Sequence, residues 1–216
     1  MKTKTSSLQT YLTVFMVCAL MVSNTIGNKQ ALLPFGLNMS AGCLLTFPIT
    51  YILSDVFSEV YGYKWSRRTS YLAFACNVFM ILCFMATIKL PFPAFWKDQQ
   101  AFEVVLGNTP RLLIASLSAF LAGDFVNDRV FRRMKAKHMT SAKGFGSRAI
   151  VSSFCGQVTD SLVFTPIAFL GVMDTKTLAL TMVTQAVVKT AYELLFLPLT
   201  FTVAKRVQQY ESRVSL

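Results

Sequence analysis

The chain has 216 residues, of which 54% are hydrophobic and 14% charged, with a mean hydropathy of +0.51. Soluble domains carry roughly 25% charge, and here the apolar residues fall in blocks of about 18 or more, which excludes a soluble globular fold. The formal charge of +11 flanks the apolar blocks instead of forming a patch, which argues for membrane topology and against nucleic-acid binding.

In chain order the predicted spans are Leu8–Ile26, Asn38–Val56, Thr69–Ile88, Arg111–Phe131, Ala149–Gly171 and Thr175–Val203. The expected fold class is therefore an all-α integral membrane protein, a bundle of about six transmembrane helices in one domain over residues 1–216. The first span follows Lys2 and Lys4 and ends in Asn24, Asn28 and Lys29, before a Pro34–Gly36 turn. It lacks a small-x-small cleavage site near Val22–Thr25, so it is read as a retained helix and not as a signal peptide. The second contains Pro48 and continues through Asp55 and Glu59 to Tyr63, closed by a loop at Lys64–Arg68. The third is apolar except for Asn77. The connection Lys89–Pro110 holds Pro91, Pro93, Phe95 and Trp96, a mix suited to the headgroup level. The fourth ends in Asp124, Asn127 and Asp128, then a basic loop through Arg148. A turn at Val172–Asp174 joins the fifth and sixth, and no clean internal repeat is visible.

Charge placement orients the bundle. With the N-terminus in the cytoplasm, 15 of the 21 Lys and Arg fall on that side: Lys2, Lys4, Lys64, Arg67, Arg68, Arg129, Arg132, Arg133, Lys135, Lys137, Lys143, Arg148, Lys205, Arg206 and Arg213. Lys29, Lys89, Lys97, Arg111 and Lys176 fall on the other, and Lys189 lies inside the last span. That bias puts both termini in the cytoplasm. The five cysteines lie within spans without CxxC spacing, and His138 is the only histidine, so neither a disulfide, a metal nor a cofactor is expected.

Ionisable groups inside hydrocarbon cost at least about 2.5–3.5 kcal/mol, so they should face the bundle interior. The fifth span aligns Ser153, Gln157, Asp160 and Phe164; the sixth aligns Gln185, Lys189 and Glu193, with Tyr192 and Phe196 beside them. The second aligns Phe47, Tyr51, Asp55 and Glu59, with its acids toward the cytoplasm, like Asp124 and Asp128 of the fourth. Asn24 lies toward the opposite side. Each has a plainer alternative: Asp160 with Lys189 as a structural pair, Asn24 and Gln157 as interhelical hydrogen bonds, the cytoplasmic acids as partners of nearby arginines. Together the stripes describe a small cavity of carboxylates, amides, an ammonium and aromatic faces. Such a cavity suits a flat polar ring better than a bulk ion, since a base stacked on an aromatic face gains about 1–3 kcal/mol.

The run Phe47-Pro48-Ile49-Thr50-Tyr51-Ile52-Leu53-Ser54-Asp55-Val56-Phe57-Ser58-Glu59-Val60-Tyr61-Gly62 resembles the signature of the queuosine precursor transporter family, also called the vitamin uptake transporter family. The segments Gly156–Phe164 and Lys189–Glu193, the latter followed by Pro198-Leu199-Thr200, are similar to the same family. The resemblance implies a multi-pass carrier of the bacterial inner membrane importing 7-deazaguanine bases, the cyano or aminomethyl precursors or queuine, for tRNA modification. It implies a fold akin to the substrate-binding subunits of energy-coupling-factor importers, acting without their ATPase module. On this basis Asp160 or Glu193 accepts the ring N–H and exocyclic amine, Gln157 bonds the carbonyl edge, Lys189 orients a carboxylate, and Phe164 or Phe47 stacks on the ring, with Asn24 also facing the substrate. Asp55, Glu59, Asp124 and Asp128 are assigned to gating or secondary roles. The alternatives are a carrier of another vitamin-like molecule and a non-transporting membrane scaffold; an enzyme is not expected, for no HExxH or GxSxG run occurs. The expected partners are a nucleobase-like small molecule and the lipid bilayer, with self-association left open.

Overall fold

The computed structural model describes residues 6–137 and 142–214, and it is helical apart from one short hairpin. Helix α1 (Ser7–Ile26) is capped by Ser6, whose hydroxyl accepts from the Gln9 amide at 3.0 Å. A hairpin of β1 (Gln30–Leu33) and β2 (Leu37–Ser40) follows, turning through Phe35 and Gly36, both at positive φ. Next come α2 (Ala41–Leu45), α3 (Phe47–Val56), a π-helical turn at Phe57–Tyr61, α4 (Tyr63–Ile88) and α5 (Gln99–Leu106). The long helices α6 (Thr109–Lys137), α7 (Ala142–Phe169) and α8 (Thr175–Val214) complete the chain.

The chain folds as two compact units. The first comprises Met1–Gln30, Ser40–Pro110 and Tyr192–Leu216; the second comprises Ala31–Met39 and Arg111–Ala191. In the first, Leu53 and Phe57 bury against Met16 of α1, while Val56 packs on Ala204 and Val207 of α8. The buried positions of α4 are Ser66, Thr69, Ser70, Ala73, Phe74, Asn77 and Ile81, three or four apart and mostly small or polar. Its exposed positions include Leu72, Phe79 and Leu82. Large apolar groups outside and small polar groups inside invert the soluble pattern. That inversion is how helices pack when the solvent is itself apolar.

Among the described residues four helical stretches are long and apolar enough to cross a membrane: Ser7–Ile26, Tyr63–Ile88, Gln99–Asn127, in which α5 runs into α6, and Thr175–Arg213. The structure thus shows a helical membrane protein and departs from the predicted spans in identifiable places. The predicted Asn38–Val56 span is not one helix: it begins as strand, breaks at Thr46 ahead of Pro48, and runs on into the π turn. Proline has no N–H to donate and fits only the first turn of a helix, so α3 starts afresh there. Gly42 lets α2 pack closely on α1, for a Cβ on it would lie 2.3 Å from the Ser23 carbonyl oxygen. The predicted loop at Lys64–Arg68 is instead the first turns of α4, where Arg67 donates to the Tyr63 hydroxyl at 2.8 Å. Helix α7 is less apolar than these four stretches because Gln157, Asp160 and several hydroxyl side chains interrupt it.

In the second unit α6 and α7 cross glycine on glycine. A Cβ on Gly123 would meet the Gly156 carbonyl at 2.9 Å and the Asp160 Cβ at 3.3 Å, and one on Gly156 would meet the Gly123 carbonyl at 3.0 Å. Such close backbone approach is what small residues permit in membranes, where dispersion contacts replace hydrophobic driving force. Arg111 closes the far end of α7, donating to the carbonyls of Ile167 at 2.6 Å and Leu170 at 2.5 Å. Those last-turn carbonyls have no intrahelical partners, so a guanidinium satisfies both hydrogen bonding and the helix dipole.

Candidate functional site

The second unit holds a cluster built from α7 and the first half of α8. Asp160 accepts from the Lys189 ammonium, and Lys189 Nζ also sits 5.5 Å from the centre of the Phe164 ring. Gln157, Asp160, Phe164 and Lys189 are all at least nine-tenths buried. The spacing explains the convergence: Gln157, Asp160 and Phe164 recur at three and four residues, one face of α7, while Gln185 and Lys189 share a face of α8. Removing both charges from water costs several kcal/mol per ion, so burial is tolerated only because the two partners meet and the aromatic face adds its quadrupole. The carboxylate has about four lone-pair sites and Lys189 occupies only one of them, leaving acceptor capacity for a ligand.

The first unit holds a second, smaller niche between α3 and the second half of α8. It is lined by Pro48, Tyr51, Ile52, Asp55, Tyr192, Glu193, Phe196 and Thr200. Its interior of about 10 Å³ has room for roughly one water. Phe47 packs edge-on against Tyr51 at 4.6 Å, and Tyr192 leans on Phe196 at 5.9 Å. Asp55, read from the sequence as a gate, is thus brought together with Glu193 in the same niche. A bicyclic base entering this niche requires side-chain movement.

The other predicted site residues are dispersed. Asn24 donates to Asn77 Oδ1 at 2.9 Å, and Asn77 donates to the Ala73 carbonyl at 2.9 Å, so this pair ties α1 to α4. Glu59 lies exposed on the π turn, and Asp124 is half-buried on α6 beside Gly123. The Asp128 side chain, His138 and the basic side chains from Lys135 to Arg148 lie outside the described residues.

Two features escaped the sequence reading. One is Glu211, which accepts from Ser6 and, at 2.7 Å, from the Tyr61 hydroxyl, so the two ends of the described chain meet at one place. Burial first, then the hydrogen bond to Glu211, pushes the Tyr61 phenol well above its ordinary range. The other is the pair Ser161 and Thr165, fully buried on α7, whose hydroxyl oxygens have no hydrogen-bond partner among the described residues. Their four-residue spacing beside Asp160 was a visible signal, but serine and threonine are common in helices of every kind.

Comparison with known proteins adds the family. The family described as “Putative vitamin uptake transporter” matches residues 40–203. A relative named “Probable queuosine precursor transporter”, from Bacillus subtilis (strain 168), is 26% identical over 183 residues, covering 82% of this chain and 76% of its own. No solved structure matches the chain. The family match spans both the Phe47–Gly62 motif and the buried Asp160–Lys189 pair, over well more than half of the chain, so this protein belongs to the vitamin uptake transporter family and is a membrane transporter, not an enzyme.

Proposed function

We propose that the protein imports 7-deazaguanine bases, precursors of the modified tRNA nucleoside queuosine, across a bacterial inner membrane. The observation that carries this reading is the buried Asp160–Lys189–Phe164 cluster with Gln157 on the same helix face. Lys189 orients Asp160, and the remaining lone pairs accept the paired N–H donors of a guanine-like edge. Gln157 donates to the ring carbonyl, and Phe164 supplies a flat apolar wall. Charge-assisted hydrogen bonds contribute about 1.5–3 kcal/mol each, and an adenine-like edge, which presents the opposite pattern, leaves the carboxylate facing an acceptor. The name of the Bacillus subtilis relative agrees with this substrate class.

Six crossings by a single transporter domain, with both ends in the cytoplasm, fit this role. Supporting that topology are the contacts of Glu211 with Ser6 and Tyr61, which join the first and last helices near the two ends of the described chain, and the 15-to-5 bias of basic residues. The niche between Asp55 and Glu193 supports a second assignment of the base-reading carboxylate, because it too joins an acid to aromatic rings.

The test is expression in a host unable to synthesise queuosine, scoring tRNA modification at limiting external base. Modification restored by the wild-type chain and lost in Asp160→Asn supports the assignment. Loss in Glu193→Gln with retention in Asp160→Asn moves base reading to the niche. No restoration by any of the cyano, aminomethyl or complete bases refutes the substrate class.

A further inference from the structure

Ser161 and Thr165 lie one turn apart on α7, both 0% exposed, and neither hydroxyl oxygen has a partner among the described residues. Native interiors seldom leave a buried hydroxyl unpaired, because it loses its water without replacement. Their placement is specific. The connection from α7 to α8 is short, Leu170 to Asp174, so the two helices run antiparallel from the Asp160–Lys189 pair toward that turn. Ser161 and Thr165 of α7 lie on the turn side of the pair, as do Gln185 and Thr181 of α8, which are also fully buried. Thr181 is engaged, donating to the Met173 sulfur at 3.8 Å near the turn. A polar seam therefore continues from the ion pair along α7 and α8, and its two unsatisfied hydroxyls lie on the α7 side.

We propose that Ser161 and Thr165 form a subsite that reads a polar substituent on the five-membered ring of the transported base. The inference rests on the substrate reading above, with Asp160 holding the guanine-like edge and the substituent directed along the seam. A hydroxyl both donates and accepts, so the pair serves a nitrile nitrogen as a donor and an ammonium as an acceptor. A base carrying only C–H at that position leaves both hydroxyls unsatisfied in the occupied site. Sites built to hydrogen-bond a group reject the analogue that lacks it strongly, whereas purely apolar contacts discriminate weakly. The seam thus selects substituted 7-deazaguanines over the unsubstituted ring.

The experiment measures uptake of labelled 7-cyano-, 7-aminomethyl- and unsubstituted 7-deazaguanine into proteoliposomes containing the full chain. Wild-type protein should favour the substituted bases by about tenfold or more. In Ser161→Ala/Thr165→Val the ratio should collapse to within about twofold, while Thr165→Ser, which keeps the hydroxyl, should retain the preference. If the double variant fails to reach the membrane, the near-isosteric Thr165→Val, measured in the same way, decides by the same ratio. Wild-type uptake without preference, or the wild-type ratio in the hydroxyl-deleting variant (Ser161→Ala/Thr165→Val, or Thr165→Val in its place), overturns the subsite and leaves the substrate reading standing. Uptake of none of the three bases by the wild type overturns both.

Discussion

In the first unit Asn24 donates to Asn77, Asn77 donates onward to the Ala73 carbonyl, and the chain of bonds ends there. In the second, Asp160 and Lys189 meet beside the Phe164 ring and beside two hydroxyls with no partner among the described residues. Both bridges join buried polar groups on neighbouring helices, yet they differ in kind. The asparagine pair is neutral and closed, the form that ties helices together for about 0.6 kcal/mol. The ion pair is costly to desolvate, retains acceptor capacity, and adjoins more polar surface than it uses. Polar groups that satisfy one another hold a membrane fold together, whereas polar groups left over mark where something else is bound.

Breaking the ion pair gives the largest expected effect. Asp160→Asn removes the charge partner of the buried Lys189 ammonium in this pair and should destabilise the protein by about 3–5 kcal/mol, with uptake lost. Asp160→Asn combined with Lys189→Gln should recover most of the thermal stability, read by fluorescence-detected unfolding, while uptake stays absent. Recovered uptake in that double variant would make the pair purely structural.

The next effect comes from the glycines. Gly42→Ala and Gly123→Ala each force a methyl group against a backbone carbonyl, at 2.3 Å and 2.9 Å respectively, and overpacking costs about 1–3 kcal/mol. Both should lower the melting temperature. Only Gly123→Ala, whose methyl also presses on Asp160 Cβ, should reduce uptake per folded molecule; equal uptake in the two variants argues against a site at Asp160.

Asn77→Leu sharpens the other half of the contrast. It leaves the Asn24 amide without Asn77 and should cost about 1–3 kcal/mol, largely recovered in Asn24→Leu/Asn77→Leu. Uptake per folded molecule should stay near wild type. A drop beyond the loss of folded protein would return Asn24 to the substrate path, where its position in the first span had suggested it.

The smallest effect is at the surface. Asp174 opens α8, accepting from the Thr177 hydroxyl at 2.6 Å and the Thr177 amide at 3.0 Å, and these bonds hold its carboxyl below the ordinary 3.8. A lowered folded-state pKa contributes stability that is present above the unfolded value and lost as pH falls through the folded one. Melting temperature should therefore fall slightly in the wild type as pH drops below the ordinary carboxylate value of 3.8 and through the lowered one. Asp174→Asn should flatten that slope, and an unchanged slope would remove Asp174 from the account.

Most helix positions and the polar face of α7 were legible in the sequence because both follow from local periodicity. Residues three and four apart share a face whatever the tertiary fold, so spacing alone aligns Gln157, Asp160 and Phe164. The break of the second span was less legible: Pro48 marked it, but the close approach of Gly42 to Ser23, which packs α2 on α1, appears only in the tertiary structure. The extension of α4 back to Tyr63 was hidden by Lys64, Arg67 and Arg68, which read as a loop although their stems and aromatic neighbours support a helix. Neither Asn24 with Asn77 nor Asp55 with Glu193 could be paired from spacing, since each joins segments far apart in the chain.

By itself the sequence determined that this chain lives in a membrane, that its family is a transporter family, and that Asp160 and Lys189 must be reconciled with hydrocarbon. Those conclusions rest on composition, on motifs and on the cost of burying charge, none of which depends on how helices are arranged. Tertiary structure alone decided which polar groups satisfy one another and which remain. That depends on distances between helices, set here by glycine contacts and a proline break, and periodicity along one helix carries no information about them.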